Sequence, residues 1–451
     1  MHTWKNQPGV IPGLLLVFIA ALVTVFYYLN YPPIEQTLDT PSYLYSMHQM
    51  QLIGNPVNDQ RLPTYPLFLL LIFAITGQGN LTAVEIVQGI LFVCVVGEVY
   101  VLSYYLFRKI WLAFAIGLLV GTDVIVISFV KPIMTEGLSL WLVTTMVLMV
   151  VLFLKTSHWR YFWLAVTTIG FLLFTRPEWI FFPCLLFPYL YWCKRANLSR
   201  KQFLRRLFVA MLVLYFPVIC YIVANYFISG TPTLTTISYV NIFGKIVEYR
   251  MQDESPANPV LSHFIDSFVQ RGIYSPWQII GHSSQLQQKH AKAAADFAQS
   301  IIMHHPFEFF LKSAPLFFSQ LSSYRPSDWV IAHGRFDTVL APLFTVQIFL
   351  YRLNWLFPFC ALAWLVLLCH PRSRSSFLVR TMALLVLLVC SIVVIQVFGE
   401  FEVASYTRLH VEIDPLIMLI IWGTVGLLVS YSLGIWRKNW TFGRSVRTVT
   451  R

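Results

Sequence analysis

Apolar residues in this chain gather in runs long enough to cross a bilayer. The runs lie at roughly 11–29, 82–107, 110–130, 136–154, 161–175, 178–193, 207–228, 347–369, 381–398 and 415–436. Most approach the ~20 residues that a spanning helix needs. The pattern predicts an all-α polytopic membrane protein with about ten transmembrane helices. The first run has no clear small-residue cleavage site and is expected to be retained as a span. Leu62 to Ile75 is apolar too, but as a helix it reaches only ~21 Å, short of the ~30 Å hydrocarbon core. It begins at Pro63, a residue suited to the first helical position. It is predicted to lie along the membrane surface.

Two polar regions remain, 30–81 and 229–346. In the first, Tyr43, Leu44, Met47 and Met50 recur at helical spacing after Pro41, and Gly54 can stop that helix. The second is the long polar stretch. It opens on turn residues (Gly230, Pro232, Pro256, Pro259), then offers an Ala-rich helical run from Gln285 to Met303. Phe307 to Leu321, with Phe309, Phe310, Leu316, Phe317 and Phe318, has the composition of an interfacial helix. The expected organisation is a catalytic transmembrane module over 1–228, an outer region over 229–346 and C-terminal transmembrane helices over 347–451. No long internal repeat and no low-complexity segment is evident.

Composition sharpens this. The chain is 57% hydrophobic and 12% charged, about half the charge of a soluble domain. Its formal net charge of +12 does not point to nucleic acid, because the basic residues sit in short loops between apolar runs. Arg108, Lys109, Lys155, Arg160, Lys194, Arg195, Arg200, Lys201, Arg205, Arg206, Arg372, Arg374 and Arg380 fall on one side if the N-terminus is inside. The tail adds Arg437, Lys438, Arg444, Arg447 and Arg451, while the outer turns hold Lys131 and Arg176. By the positive-inside rule both termini are cytoplasmic, and 30–81 and 229–346 face outward. A bacterial inner membrane is the expected location. All seven cysteines lie in or beside apolar segments, so no disulfide framework is expected in the outer region.

The motifs then suggest a family. Asp39 follows the first span, and Arg61-Leu62-Pro63-Thr64-Tyr65-Pro66-Leu67-Phe68-Leu69 follows it. Thr135-Glu136-Gly137-Leu138 opens the fourth run, Thr175-Arg176-Pro177 closes the fifth, and a His-Pro step occurs within Ala294 to Leu311. Glu400 to Pro415 contains Tyr406, Arg408 and Pro415. In this order the motifs resemble the GT-C membrane glycosyltransferases, in particular the family-39-like group of protein O-mannosyltransferases and lipid A aminoarabinose transferases. The resemblance covers most of the chain at low density. It departs at Arg61, where some relatives carry lysine, and at Tyr406-Thr407-Arg408-Leu409-His410 in place of a more usual Arg-Tyr. Sugar and acceptor stay open.

The resemblance implies transfer, with inversion, of a sugar from a polyprenyl-phosphate donor to an acceptor hydroxyl on a lipid, glycan or protein. The residues suit that chemistry. A leaving phosphate needs cationic donors, for which Arg61, Arg176 and Arg408 are the candidates. It leaves readily, so one carboxylate can serve as general base where glycosidases use two. Asp39 is the candidate base. Glu136 would orient the acceptor, shape the base's pKa or hold a divalent metal ion, the one cofactor the residues leave room for. Tyr43, Tyr65, Asp123 and His410 are expected to bind substrate.

Each has a plainer reading. Asp39 also suits a helix N-cap, Glu136 a helix N-terminus and Arg61 an interfacial anchor. Glu98 and Asp123 fall inside predicted spans, where a carboxylate is costly; for Glu98 a structural role fits better. The outward histidines His263, His282, His290, His304, His305, His333 and His410 show no metal-ligand spacing. The alternative function is a transporter or lipid flippase, but repeated halves and broken helices around a midplane site are not evident. A non-catalytic membrane subunit is a third reading.

Overall fold

The structure is a computed structural model. It describes all residues except 1–8, 32–35, 38, 196–198, 255–258, 323–334, 402–407, 409, 433 and 435–451, and omits the side chains of Glu254, Lys289 and His290. His333, Tyr406, Thr407 and the arginines of the tail lie outside the described residues, and nothing is said of the His290 side chain.

Every regular element among the described residues is helical. The first half contains α1 (Val10–Asn30), α2 (Thr40–Ile53), α3 (Thr64–Thr76), α4 (Leu81–Phe107), α5 (Ile110–Gly121), α6 (Val124–Val130), α7 (Glu136–Thr156), α8 (Trp159–Leu173), α9 (Phe182–Lys194) and α10 (Arg200–Ser229). The polar stretch 229–346 contains α11 (Ile237–Glu248), α12 (Pro259–Val269), α13 (Pro276–Gly281), α14 (Ser284–His304) and α15 (Pro306–Ser322). Then come α16 (Asp337–Arg352), α17 (Phe357–Cys369), α18 (Phe377–Gly399) and α19 (Asp414–Ser432).

Seven helical stretches are long and apolar enough to cross a membrane. They are α1, α4, α7, α10, the continuous α16–α17 stretch Asp337–Cys369, α18 and α19. The pair α5 and α6, bent by 52°, passes the same test together, as a broken span or a re-entrant loop, and brings the count to eight if it is one span. The chain is an integral membrane protein, but the expected count of about ten spans is not reached by length. The runs 161–175 and 178–193 form α8, a short 3-10 turn (Pro177–Phe181) and α9, each below spanning length. Both elements still connect the two ends of α7. Arg176, just past α8, reaches Glu136 at the start of α7 (3.2 Å), and Lys194 at the end of α9 reaches Ser157 just past the end of α7 (2.6 Å).

The run 110–130 is broken for a local reason. The Asp123 side chain accepts hydrogen bonds from the Ile125 and Val126 amides, giving α6 an N-terminus of its own. A break at membrane depth requires protein partners for the freed backbone. Gln347 of α16 supplies one by donating to the Leu119 carbonyl at 3.1 Å. The turn after α6 is satisfied by Gln88 of α4, whose amide donates to the carbonyls of Val130 (2.6 Å) and Pro132 (2.8 Å).

Helix α7 is the central helix, with 78% of its spanning window buried, whereas α1 and α10 bury 28% and present apolar faces outward. The polar stretch has a core of its own, which includes Phe243, Ile246, Ile265, Ile279, Leu286, Ala294, Ala298 and Ile301. It rests on the end of α18, where Phe398 packs against Phe309 and Phe310. Asn241 of α11 donates to Glu400 just beyond α18. Helix α15 leaves Phe307, Phe310, Leu311 and Phe318 exposed. Gly54 stops α2 in the left-handed conformation that favours glycine (φ +64°). All seven cysteines are free.

Candidate functional site

The site lies where α2, the 58–63 loop and the ends of α7, α8 and α19 meet, and backbone contacts fix the meeting. Thr40, the first residue of α2, donates its hydroxyl to the Ile133 carbonyl (3.1 Å), which brings Asp39 beside the start of α7. Asn58 exchanges bonds with the Tyr221 hydroxyl of α10 through its amide (3.1 Å) and carbonyl (2.9 Å). The Thr64 amide donates to the Phe174 carbonyl at 3.0 Å. Arg61 is held between these two anchors.

The result is a continuous chain of alternating charges. Arg61 Nη2 donates to Asp39 Oδ1 (2.5 Å), and Arg408 Nη2 lies 2.8 Å from Asp39 Oδ2. Arg408 Nε donates to Glu136 Oε1, which also receives Arg176 Nη2 at 3.2 Å. Arg176 Nη1 then faces Glu178 (3.5 Å) and Glu412 (3.4 Å). Trp179 Nε1 donates to Glu412 at 3.4 Å.

Exposure divides this chain into two halves. The side chains of Asp39, Arg408 and Arg61 keep 28%, 25% and 15% of their surface. Those of Glu136, Arg176, Glu178 and Glu412 keep 1%, 7%, 6% and 0%. A ligand can therefore reach the first three, and the other four form the buried base beneath them.

Asp39 and Arg61 each have a plainer reading, as an N-cap and as an interfacial anchor. Asp39 occupies the N-cap position of α2 but makes no side-chain cap bond; its carboxylate goes to the arginines instead. Arg61 turns inward. Its Nε donates to Ser42 Oγ (2.7 Å) and its Nη1 to the Tyr43 hydroxyl (3.2 Å), and its guanidinium lies 4.4 Å from the centre of the Tyr43 ring.

Three candidates sit deeper. Tyr65 is fully buried, packs edge-on against Tyr43 and donates to Gln88 at 2.7 Å. Asp123 and His410 belong to a separate buried network. The Tyr351 hydroxyl lies 3.1 Å from Asp123 Oδ2 and 2.9 Å from Asp414 Oδ2, and His410 Nδ1 lies 2.8 Å from Asp414 Oδ1. Glu98, set apart from the site, accepts from Thr145 at 2.8 Å.

Electrostatics follow from this layout. Burial works to raise the Asp39 pKa, but Arg408 and Arg61 outweigh it and hold the carboxyl below its ordinary value. Glu412 behaves in the opposite way. Burial pushes it up to about 7, with Arg176 opposing and Glu178 adding to the rise. Four carboxylates (Asp39, Glu136, Glu178, Glu412) thus face three arginines.

A divalent metal would have to displace guanidiniums to reach these carboxylates. Each carboxylate of the chain is already faced by a guanidinium. Among the described residues no group of three His, Cys, Asp or Glu could hold an ion.

Glu178, Glu412, Ser42 and Gln88 escaped the sequence reading. Glu178 stands two residues after Arg176, and Glu412 lies inside the Glu400 to Pro415 segment already singled out. A carboxylate in a short loop between apolar runs was the available signal.

No family model matches the chain, and no curated protein does. Solved structures of similar shape include the archaeal oligosaccharyltransferase AglB from Archaeoglobus fulgidus in complex with an inhibitory peptide and a dolichol-phosphate. That likeness has 12% identity and a TM-score of 0.47, and covers 96% of this chain and 52% of that one. The Archaeoglobus fulgidus oligosaccharyltransferase tethered to an acceptor peptide containing the NVT sequon gives 13% identity, a TM-score of 0.49, and 94% and 51% coverage. The same enzyme in complex with Zn and sulfate gives 11%, 0.47, and 93% and 51%. The chain spans about half the length of these structures.

Proposed function

We propose that this protein is an inverting glycosyltransferase of GT-C type, acting on a polyprenyl-phosphate-linked sugar at the outer face of the membrane. The observation that carries the reading is the accessible carboxylate of Asp39 flanked by the guanidiniums of Arg61 and Arg408. A sugar leaving from phosphate needs a cationic cradle for the anion and a base for the acceptor hydroxyl.

The side of the membrane is argued from charge. Lys194 reaches Ser157, Arg380 Nη1 donates to the Cys193 carbonyl (2.8 Å), Lys155 sits over the Tyr105 ring (3.8 Å), and Arg206 over Trp159 (3.9 Å). The basic loops thus gather at the end of α7 opposite Glu136. The positive-inside rule then assigns that end to the cytoplasm and the site to the outside. Gly9, ahead of α1, accepts from Tyr100 in the second half of α4, in keeping with a cytoplasmic N-terminus.

In the reaction the acceptor oxygen forms a bond to the anomeric carbon while the bond from that carbon to the phosphate oxygen breaks. The electron pair leaves with the phosphate, held by Arg61 and Arg408, and the acceptor proton passes to Asp39. Attack opposite the leaving group inverts the centre. Tyr43 stands beside Arg61 and can contact the donor. Glu136 holds Arg408; Arg176 holds Glu136 and is itself faced by Glu178 and Glu412. Tyr65, Asp123 and His410 position the walls of the site. The acceptor is a hydroxyl of a lipid, glycan or protein.

The test is purified enzyme given polyprenyl-phosphate sugars, followed by mass spectrometry of the product. Asp39→Asn is expected to abolish transfer. A folded variant with undiminished transfer would remove Asp39 from the role of base.

A further inference from the structure

The carboxylate assigned as base and the arginines assigned to the donor phosphate are bonded to one another. Asp39 Oδ1 takes Arg61 Nη2 at 2.5 Å, and Oδ2 takes Arg408 Nη2 at 2.8 Å. A phosphodiester has two non-bridging oxygens and one negative charge, and presents the same pair of acceptors to the same pair of donors. A carboxylate held by two guanidiniums is also a poor proton acceptor, because its charged form is already stabilised. As it stands, the site has its base and its anion cradle both engaged.

We propose that Asp39 is an internal stand-in for the donor phosphate, and that the phosphodiester of the incoming lipid-linked donor takes Arg61 and Arg408 from it, so that donor binding itself releases the base. This rests on the functional reading above and deepens it.

The arginines stay in place during the exchange. Arg61 keeps Ser42 and Tyr43 through Nε and Nη1, and Arg408 keeps Glu136 through Nε. Only the Asp39 side chain has to move, and it is the most exposed of the three. Charge balances, since one anion of unit charge replaces another at the arginines. Asp39, left without its partners, regains basicity when a donor is present to receive the attack. The order of addition follows: donor first, then acceptor. After transfer the lipid carries a phosphate monoester of roughly −1.5 to −2 charge, which holds the arginines harder than the donor did. Asp39 then gives up the acceptor's proton to water and, as a carboxylate again, re-pairs with Arg61 and Arg408 as the lipid phosphate leaves.

The test uses the full chain in detergent micelles with a short-chain polyprenyl phosphate that bears no sugar. Asp39→Asn removes the competing anion and is expected to bind this lipid roughly tenfold more tightly than the wild type, the gain from one charge-assisted contact no longer surrendered. A second readout needs no variant. In wild-type protein carrying carbon-13 in its aspartate carboxyls, infrared difference spectra on adding the lipid should show one aspartate carboxylate band shift as its guanidinium partners leave. An asparagine variant that binds no tighter, or a difference spectrum without a shifted aspartate band, overturns the exchange and leaves the donor class standing. If neither protein binds the lipid phosphate, the reading of the site as a phosphate-lipid site falls with it.

Discussion

Replacing Arg176 by methionine separates a structural arginine from a substrate-binding one. The guanidinium is 7% exposed and faces Glu136 at 3.2 Å, Glu412 at 3.4 Å and Glu178 at 3.5 Å. At an effective dielectric near 20, each such contact has a gross attraction of about 5 kcal/mol, most of it offset by desolvation. Methionine fills similar space but leaves the carboxylates uncompensated. Removing one partner of a buried pair costs about 3–5 kcal/mol. Glu412 tempers the loss. Its pKa is already raised to about 7 by burial, and without Arg176 it takes up a proton more readily. The variant should therefore be much less stable than wild type at neutral pH and recover part of the difference in mild acid. Arg176→Met with Glu412→Gln should recover at least half of the loss at neutral pH. The assay is thermal unfolding by tryptophan fluorescence in detergent at a fixed scan rate, because membrane proteins of this size commonly unfold irreversibly. A single variant that melts like the wild type but fails to bind polyprenyl phosphate would refute the reasoning and return Arg176 to the phosphate.

Three further outcomes are expected. Glu412→Gln should flatten the pH dependence of stability. The folded pKa of about 7 lies above the ordinary 4.5, so the folded state holds a proton that the unfolded chain has lost, and wild-type stability falls as pH rises between these values; melting temperatures across that range would show it. Arg61→Lys offers one nitrogen where Arg61 uses three on Ser42, Tyr43 and Asp39, and should lower kcat/KM for transfer by about 10- to 100-fold, equivalent to ~1.4–2.7 kcal/mol. Tyr351→Phe deprives Asp123 and Asp414 of their shared hydroxyl and should cost about 1–3 kcal/mol of stability, lowering kcat while leaving polyprenyl-phosphate affinity intact; an unchanged melting temperature would count against that network.

Much of the architecture was legible because lipid imposes one rule on every segment. A run either satisfies its backbone as a helix across the bilayer or stays out. That rule gave α1, α4, α7, α18 and α19 within a few residues and α10 with a later start, and laid 62–75 aside as the short α3, while composition pointed to α14 and α15 in the polar region. It failed at 110–130, where hydrophobicity is continuous and the break comes from one side chain, Asp123, bonding two amides of its own chain. At 161–193 the expected spans are not confirmed by length, since α8 and α9 are each shorter than a spanning helix although they connect the two ends of α7.

Asp39, Arg61, Glu136, Arg176 and Arg408 were all visible as charged residues at the ends of apolar runs, because a charge beside lipid is costly and therefore conspicuous. Their partners were not visible. Nothing local says that Arg408 bridges Asp39 and Glu136, residues separated from it by most of the chain, or that Glu412 meets Arg176. Sequence alone determined that the protein lives in a membrane and which residues carry charge near its edge. The tertiary structure decided which of those charges are buried together and which stay open to a ligand, because ion pairing depends on distances of a few ångströms between ends of helices that are remote in sequence.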